Sequence, residues 1–311
     1  STATLGHNGG NGQLSISDNG QVILNGGSGQ LILADQSGST GTLIFGSSTG
    51  AADAGTIQAS SIFGGDGDAT VNFNQADDIT FSTPITGSTQ VVFSSPSGTA
   101  DGNSTTLLGV HSYSGSTDVN SGTAIIGSTG DVRSTSGINV AASSVGDAVL
   151  TVDGGILGTS TGTLAVGDGG TGTVNVINDG DIFADFARLG ENETGVGTLN
   201  LDGGEFLNDS GVVVGRAGDG TIDLINQSLM RTSLESGSAT LGGLAGGKGT
   251  VLVDDSTWQH RGQITLGIEG EGTLQIQNGG RVTVTTISIP SRHGSVYVGS
   301  ISGSTGTVTV S

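Results

Sequence analysis

A chain of 311 residues with 28 acidic and eight basic side chains carries a net charge of −20, and every basic residue lies beyond position 132. Such a surface repels phosphate backbones and anionic lipid, which argues against nucleic acid and membrane surfaces and leaves cations, basic proteins, neutral glycans and copies of the chain itself as partners. Sixty glycines and 4% aromatic residues would suggest low complexity, but a mean hydropathy of +0.06 is too apolar for a solvated tail.

The chain opens on Leu5-Gly6 and then Gly12-Gln13-Leu14-Ser15-Ile16, a weak copy of a phrase that becomes regular further on. Alternating apolar residues predict short strands with one buried face, and no stretch has helical spacing. Residues 1–103 read as divergent coils of the same repeat. Within 40–105 the phenylalanines Phe45, Phe63, Phe73, Phe81 and Phe93 concentrate, which predicts loops or a wider core. Gly64-Gly65-Asp66-Gly67-Asp68 resembles a calcium-binding nonapeptide, but Ala69 stands where its next Asp belongs, so a solvated acidic loop is expected. Calcium bridging surface oxygens is the one cofactor that this composition suggests.

From residue 146 to 311 the phrase is regular: a β-branched residue or Leu, Gly, a polar stretch, Gly-Thr, two alternating apolar residues, then Asp/Asn-Gly. Leu189-Gly190 … Gly197-Thr198-Leu199-Asn200-Leu201-Asp202-Gly203 is one copy. The first apolar residues of this kind are Leu150, Val174, Leu199, Ile222, Val251, Leu274 and Val308, with gaps of 24, 25, 23, 29, 23 and 34 residues. A period in the low twenties with insertions is the signature of a solenoid, whose units bury their apolar face only by stacking. Short strands separated by Asp, Asn and Gly corners make it all-β, a parallel β-helix with three strands per coil and a repeat of about 23–25 residues. Strand twist and crossover preference predict a right-handed coil. Length divided by repeat predicts roughly 13 coils, about 60 Å of rod, in one undivided domain.

The segment Thr106-Leu107-Leu108-Gly109-Val110-His111-Ser112-Tyr113-Ser114-Gly115-Ser116-Thr117-Asp118-Val119-Asn120-Ser121-Gly122-Thr123-Ala124-Ile125-Ile126 resembles the autotransporter-associated β-strand repeat, with His111 in place of the usual Asn and Ala124 in place of Leu. The Gly-Thr phrases from 163 to 310 are similar to a second repeat type of the same passengers. The resemblance, carried by 104–126 and 146–311, implies a passenger segment of a type V secretion system related to AIDA-like self-associating adhesins. It implies an extracellular or bacterial cell-surface location, a translocating β-barrel C-terminal to this segment, and a role in aggregation, biofilm growth or attachment to a host or matrix protein or glycan. The lack of cysteine agrees with passage of an unfolded chain through an oxidising envelope. No apolar run approaches the roughly 18 residues of a membrane span, so this segment is not expected to insert.

Chemical motifs in the chain read more simply as corners. Gly167-Asp168-Gly169-Gly170-Thr171-Gly172 satisfies the dinucleotide fingerprint, but Val174-Asn175-Val176 continues as strand where a helix is required. Asn208-Asp209-Ser210-Gly211 is similar to a serine-protease nucleophile region and has no globular insertion to hold a triad around it. Parallel β-helices also host polysaccharide-active enzymes; Asp77-Asp78 and Asp254-Asp255 are candidate carboxylate pairs, but strand neighbours point to opposite faces. No catalytic residues are therefore expected. The least ordinary spots are Arg292-His293-Gly294 and Trp258-Gln259-His260-Arg261, of which Trp258, His260 and Arg261 are candidate glycan contacts. Stacking in register should bring Asp153, Asn178, Asp179, Asp202, Asn226, Asp254 and Asn278 to equivalent corners, a polar column suited to self-association. Besides an adhesin, a passive stalk presenting another domain and a glycan-active enzyme are the alternative readings.

Overall fold

The computed structural model describes residues 1–98, 103–143, 146–159, 161–285 and 294–311, and only the backbone of 233–236. Arg292 and His293 lie outside the described residues. The chain is all-β, a parallel β-solenoid of about 11 turns. Among the described residues the one helical piece is the 3-10 turn Asn25–Gly27.

A ten-strand parallel face takes one strand from each coil, from Ile79–Phe81 to Thr305–Val310. Leu150, Val174, Leu199, Ile222, Val251, Leu274 and Val308 are consecutive register partners on it. The spacing in the sequence is thus the coil spacing. The same column runs back through Ala124 and Thr105 to Ile79. Coil lengths along it range from 19 residues, Thr105 to Ala124, to 34, Leu274 to Val308. Insertions of this kind lower the count from the expected 13 or so to about 11, a rod of roughly 50 Å at the usual strand spacing.

The other strands of each coil build a twenty-strand ladder. In the N-terminal half they are short and separate. Later they fuse into bent strands, Asp181–Leu189, Glu205–Val214, Leu229–Leu241 and Thr257–Leu266. Register shifts between Ala184 and Phe186, Leu207 and Val212, and Thr232 and Gly237 mark the bends.

The core is a set of inward columns. One of them runs Ile16, Phe45, Phe73, Phe93, Val119, Val140, Val166 and Leu189. Phe45 stacks on Phe73 at 5.1 Å and Phe73 on Phe93 at 5.2 Å, while Phe81 meets the first two edge-on at 5.1 Å. Aromatic rings thus fill this column in the coils of 40–105, and valine takes over from Val119 onward. Phe63 is the exception and lies exposed. In the segment that resembles the autotransporter repeat, Tyr113 is fully buried, with its hydroxyl 2.7 Å from Thr117 Oγ1, which donates to Thr135 Oγ1 at 3.2 Å. Burial raises the Tyr113 pKa, so the phenol stays neutral.

The two glycines of the repeated phrase have one structural cause. Gly215 turns the corner at φ +66 and receives the next coil on its open side: a Cβ there would fall on the carbonyl oxygen of Lys248. Gly220, the glycine of Gly-Thr, lies across the same corner, where a Cβ would meet the backbone nitrogen of Gly215. Two backbones therefore touch at each copy of this corner, and a side chain on either would hold the coils apart.

The last coil, Ser295–Val298 with Thr305–Val310, leaves Val296, Tyr297, Val298, Val308 and Val310 between 43% and 72% exposed, where inner coils are covered by the next rung.

Candidate functional site

The corner column of Asp and Asn forms, but as pairs. Asn178 donates to Asp153 at 2.7 Å, Asn226 to Asp202 at 2.6 Å and Asn278 to Asp254 at 2.8 Å. The cause is an alternation of corner length. Two residues separate Asp153 from Ile156, Asp202 from Glu205 and Asp254 from Thr257; three separate Ile177 from Asp181, Ile225 from Leu229 and Gln277 from Arg281. Each longer corner reaches back with its Asn to the Asp below. Gln277 adds a second bond to Asp254 at 3.0 Å, and these two amides hold that carboxyl below its ordinary pKa. Asn178, Asp179, Asn226 and Asn278 all have φ between +50 and +60, a left-handed conformation that Asn and Asp tolerate better than most residues. In the single chain the residues of this column act first as corners. Asn226→Gly is therefore expected to keep the thermal stability of the protein, whereas Asn226→Ala should cost about 1 kcal/mol through its strained backbone. Equal losses in thermal unfolding would instead assign the effect to the amide bond.

Trp258 and His260 are not surface residues. Alternation along Thr257–Leu266 sends both inward, 0% and 1% exposed, and turns Gln259 and Arg261 outward. As a donor only, Trp258 Nε1–H gives its proton to Thr232 Oγ1 at 2.8 Å. The Thr232 hydroxyl then donates to His260 Nδ1 at 2.8 Å, and His260 Nε2–H donates to the carbonyl of Gln263 at 3.0 Å. This relay satisfies every polar atom of the buried rings. Burial pushes the His260 pKa down to about 4, so the imidazole is neutral. Buried His111, in the resemblance segment, is similar: Nδ1 accepts the Ile85 N–H at 3.3 Å, Nε2 donates to Leu108 O at 3.1 Å, and its pKa is lowered by burial. Of the three candidate glycan contacts only Arg261 reaches solvent. The parity of the strand was the signal in the sequence, since Trp258 and His260 share one face and Arg261 takes the other.

The Asp77-Asp78 pair serves the backbone, whereas Asp254 of the second pair takes the side-chain amides of Gln277 and Asn278. Asp77 Oδ1 accepts from Ala54 N–H of the preceding coil at 2.7 Å, and Asp78 Oδ1 from Ser104 N–H of the following one at 2.7 Å. Asp168, inside the fingerprint-like glycine run, accepts Arg188 at 2.9 Å, and the strand Thr171–Ile177 follows directly. Asn208 is buried in a bent strand and donates to Asp185 O at 2.9 Å. Among the described residues no three His, Cys, Asp or Glu side chains converge as a metal site, and no helix is long and apolar enough to cross a membrane.

Two outward surfaces remain. On the ten-strand face Thr173, Thr198, Thr221, Thr250, Thr273 and Thr307 are register partners on six consecutive coils. Beside them stand Asn175, Asn200 and Asp223, with Asn200 donating to Asn175 at 2.9 Å. The second is a groove of about 540 Å³ on the other ladder, lined by Arg231, Thr257, Gln259, His260, Arg261, Arg281, Thr283 and Thr285. These arginines look scattered in the sequence and are neighbours in the fold. No family model, curated protein or solved structure matches the chain.

Proposed function

We propose that this chain is a β-solenoid segment of a bacterial cell-surface adhesin, an autotransporter-type passenger, which works by laying ordered polar faces against copies of itself on neighbouring cells or against a host or matrix surface. The observation that supports this reading is the row of six threonines in register on the ten-strand face. Hydroxyls repeated at about 4.8 Å on a stiff sheet can meet a second row of the same spacing without side-chain rearrangement. Each hydrogen bond contributes about 0.5–1.5 kcal/mol, so attachment requires many copies in parallel. With a charge of −20 on each chain, contact needs salt to screen repulsion. A passive stalk is the second reading, favoured by the Asp–Asn corner pairs that are already satisfied within one chain.

The test couples the protein to beads of two colours and scores mixed clumping at about 10 and 150 mM salt, with and without calcium, beside binding to glycan- and matrix-coated surfaces. Clumping is expected only at the higher salt, and Thr198→Glu/Thr250→Glu should abolish it. The control Gln21→Glu/Gln58→Glu adds the same charge at exposed positions elsewhere and should leave it intact. Binding to one coated surface without clumping makes the target a host or matrix molecule. Failure of both returns the stalk.

A further inference from the structure

We infer that a break in the third face of the solenoid admits an extended peptide with a basic residue, which adds a strand between Thr56–Gln58 and Ile79–Phe81. The inference goes beyond the adhesin reading and does not depend on self-association. The two segments are equivalent strands of successive coils. Thr56–Gln58 pairs with Gln21–Ile23 of the coil before it, and Ile79–Phe81 opens the ten-strand face, but they do not pair with each other. Among the described residues this is the one interruption of a ladder. Most of their Cα atoms lie more than 8 Å apart, against about 4.8 Å for paired strands and about 9.6 Å where one strand stands between. The corner that precedes Thr56 has nine residues and the one that precedes Ile79 has four, so the strands enter the face out of step. Ala76 N–H donates to Ala52 O at 2.8 Å before the slot, and the chains close again where Ile62 pairs with Ile85.

Both edges of the slot are open to a strand. Thr56 N–H donates to Gly20 O and Gln58 O accepts Leu24 N–H, so these two residues face the earlier coil. By strand parity the N–H and C=O of Ile57 then face the slot. Across it, Phe81 O accepts Leu108 N–H, which turns Ile79 and Phe81 to the later coil and leaves the N–H and C=O of Thr80 toward Ile57. Unpaired strand edges of this kind are templates for another chain. The space holds about 370 Å³, within the range of ordinary ligand sites, and Phe45, Ile57, Ile79 and Phe81 are part of its lining. Two to four residues of extended chain meet all four backbone groups and lay an aliphatic side chain on this apolar floor. Charge selects the occupant. Asp77 and Asp78 line the same slot, and each uses Oδ1 for a backbone N–H, of Ala54 and of Ser104, with no donor at Oδ2 among the described residues. Residues 1–132 carry ten Asp and no Lys or Arg, so a second copy of this region is repelled and a basic peptide attracted.

The probe is an acetylated and amidated hexapeptide of alternating valine and threonine between two terminal arginines. Two controls accompany it, one with glutamate in place of both arginines and one N-methylated at both valines, which removes the amide donors of one strand edge. Titration calorimetry at about 150 mM salt is expected to show saturable binding of the arginine form, with each control at least tenfold weaker. Asp77→Asn/Asp78→Asn keeps an acceptor for Ala54 and Ser104 and should weaken the arginine form tenfold or more. Hydrogen exchange on the unaltered protein locates the contact and decides by itself if the double variant fails to fold. The amides of Ile57 and Thr80 should exchange rapidly in the protein alone and become protected with the peptide bound. No binding, a control that binds as well as the arginine form, a folded double variant with unchanged affinity, or binding that leaves Ile57 and Thr80 unprotected overturns the inference. Beads that fail to clump while the hexapeptide still binds count against self-association alone.

Discussion

Replacing Gly215 by alanine is expected to lower the stability of the coils around it by about 3–5 kcal/mol, measured by chemical denaturation and by hydrogen exchange of the strands on either side. Two costs add. At φ +66 an alanine is in the left-handed region, worth about 1–2 kcal/mol against it. Its methyl would also overlap the carbonyl of Lys248, a backbone atom that cannot swing aside, and overpacking of this kind costs about 1–3 kcal/mol. Gly246→Ala separates the two, because Gly246 has φ +87 and nothing lies within 4 Å of the place its methyl would take. It should lose only the strain, about 1–2 kcal/mol. If both substitutions cost the same, the close approach of backbones is not what requires glycine. Stability in a solenoid is a sum of coil and interface contributions, so the loss should be largest at amides of Val214, Leu241 and their neighbours and fade several coils away.

Acid is expected to destabilise the protein through His260. Its folded pKa of about 4 lies below the unfolded value of 6.5, so the unfolded chain binds more protons between these limits. The contribution is fully present above pH 6.5, falls as the pH drops through that window, and is lost below about pH 4. At about 1.4 kcal/mol per tenfold change in proton affinity, the difference amounts to about 3 kcal/mol. His111 acts with the same sign, its pKa also being lowered by burial. Asp181 and Asp223 oppose it: burial raises both carboxyls, so protonating them in acid relieves a cost of the folded state. The clean readout is the difference between wild type and His260→Gln, measured by urea unfolding from pH 7.5 to 4. The wild type should lose about 3 kcal/mol relative to the variant across that range. Parallel curves would mean that His260 is not neutral and buried in the way its hydrogen bonds imply.

Most of the architecture was legible in the chain because a coil leaves a repeating trace. The apolar anchors from Leu150 to Val308 are register partners in the order in which they occur, and the Gly and Gly-Thr steps mark the corner where backbones touch. Alternation of apolar residues determined which side of each strand is buried, and of the phenylalanines of 40–105, Phe45, Phe73 and Phe93 stack in one inward column. These properties are local: strand parity and corner chemistry need only a few neighbouring residues.

What lies opposite what on the second ladder was decided by the tertiary structure. From Ile222 the anchors advance by 29 and then 23 residues, but Arg231, Gln259 and Thr283 advance by 28 and 24. The difference of one comes from corners that alternate between two and three residues, and in a strand one residue reverses the face. Repeat arithmetic therefore could not bring Arg231, Arg261 and Arg281 together, nor show that Asp and Asn would pair by twos instead of forming one column. Only the accumulated corner lengths along the folded chain set those meetings, and with them the charge of the groove.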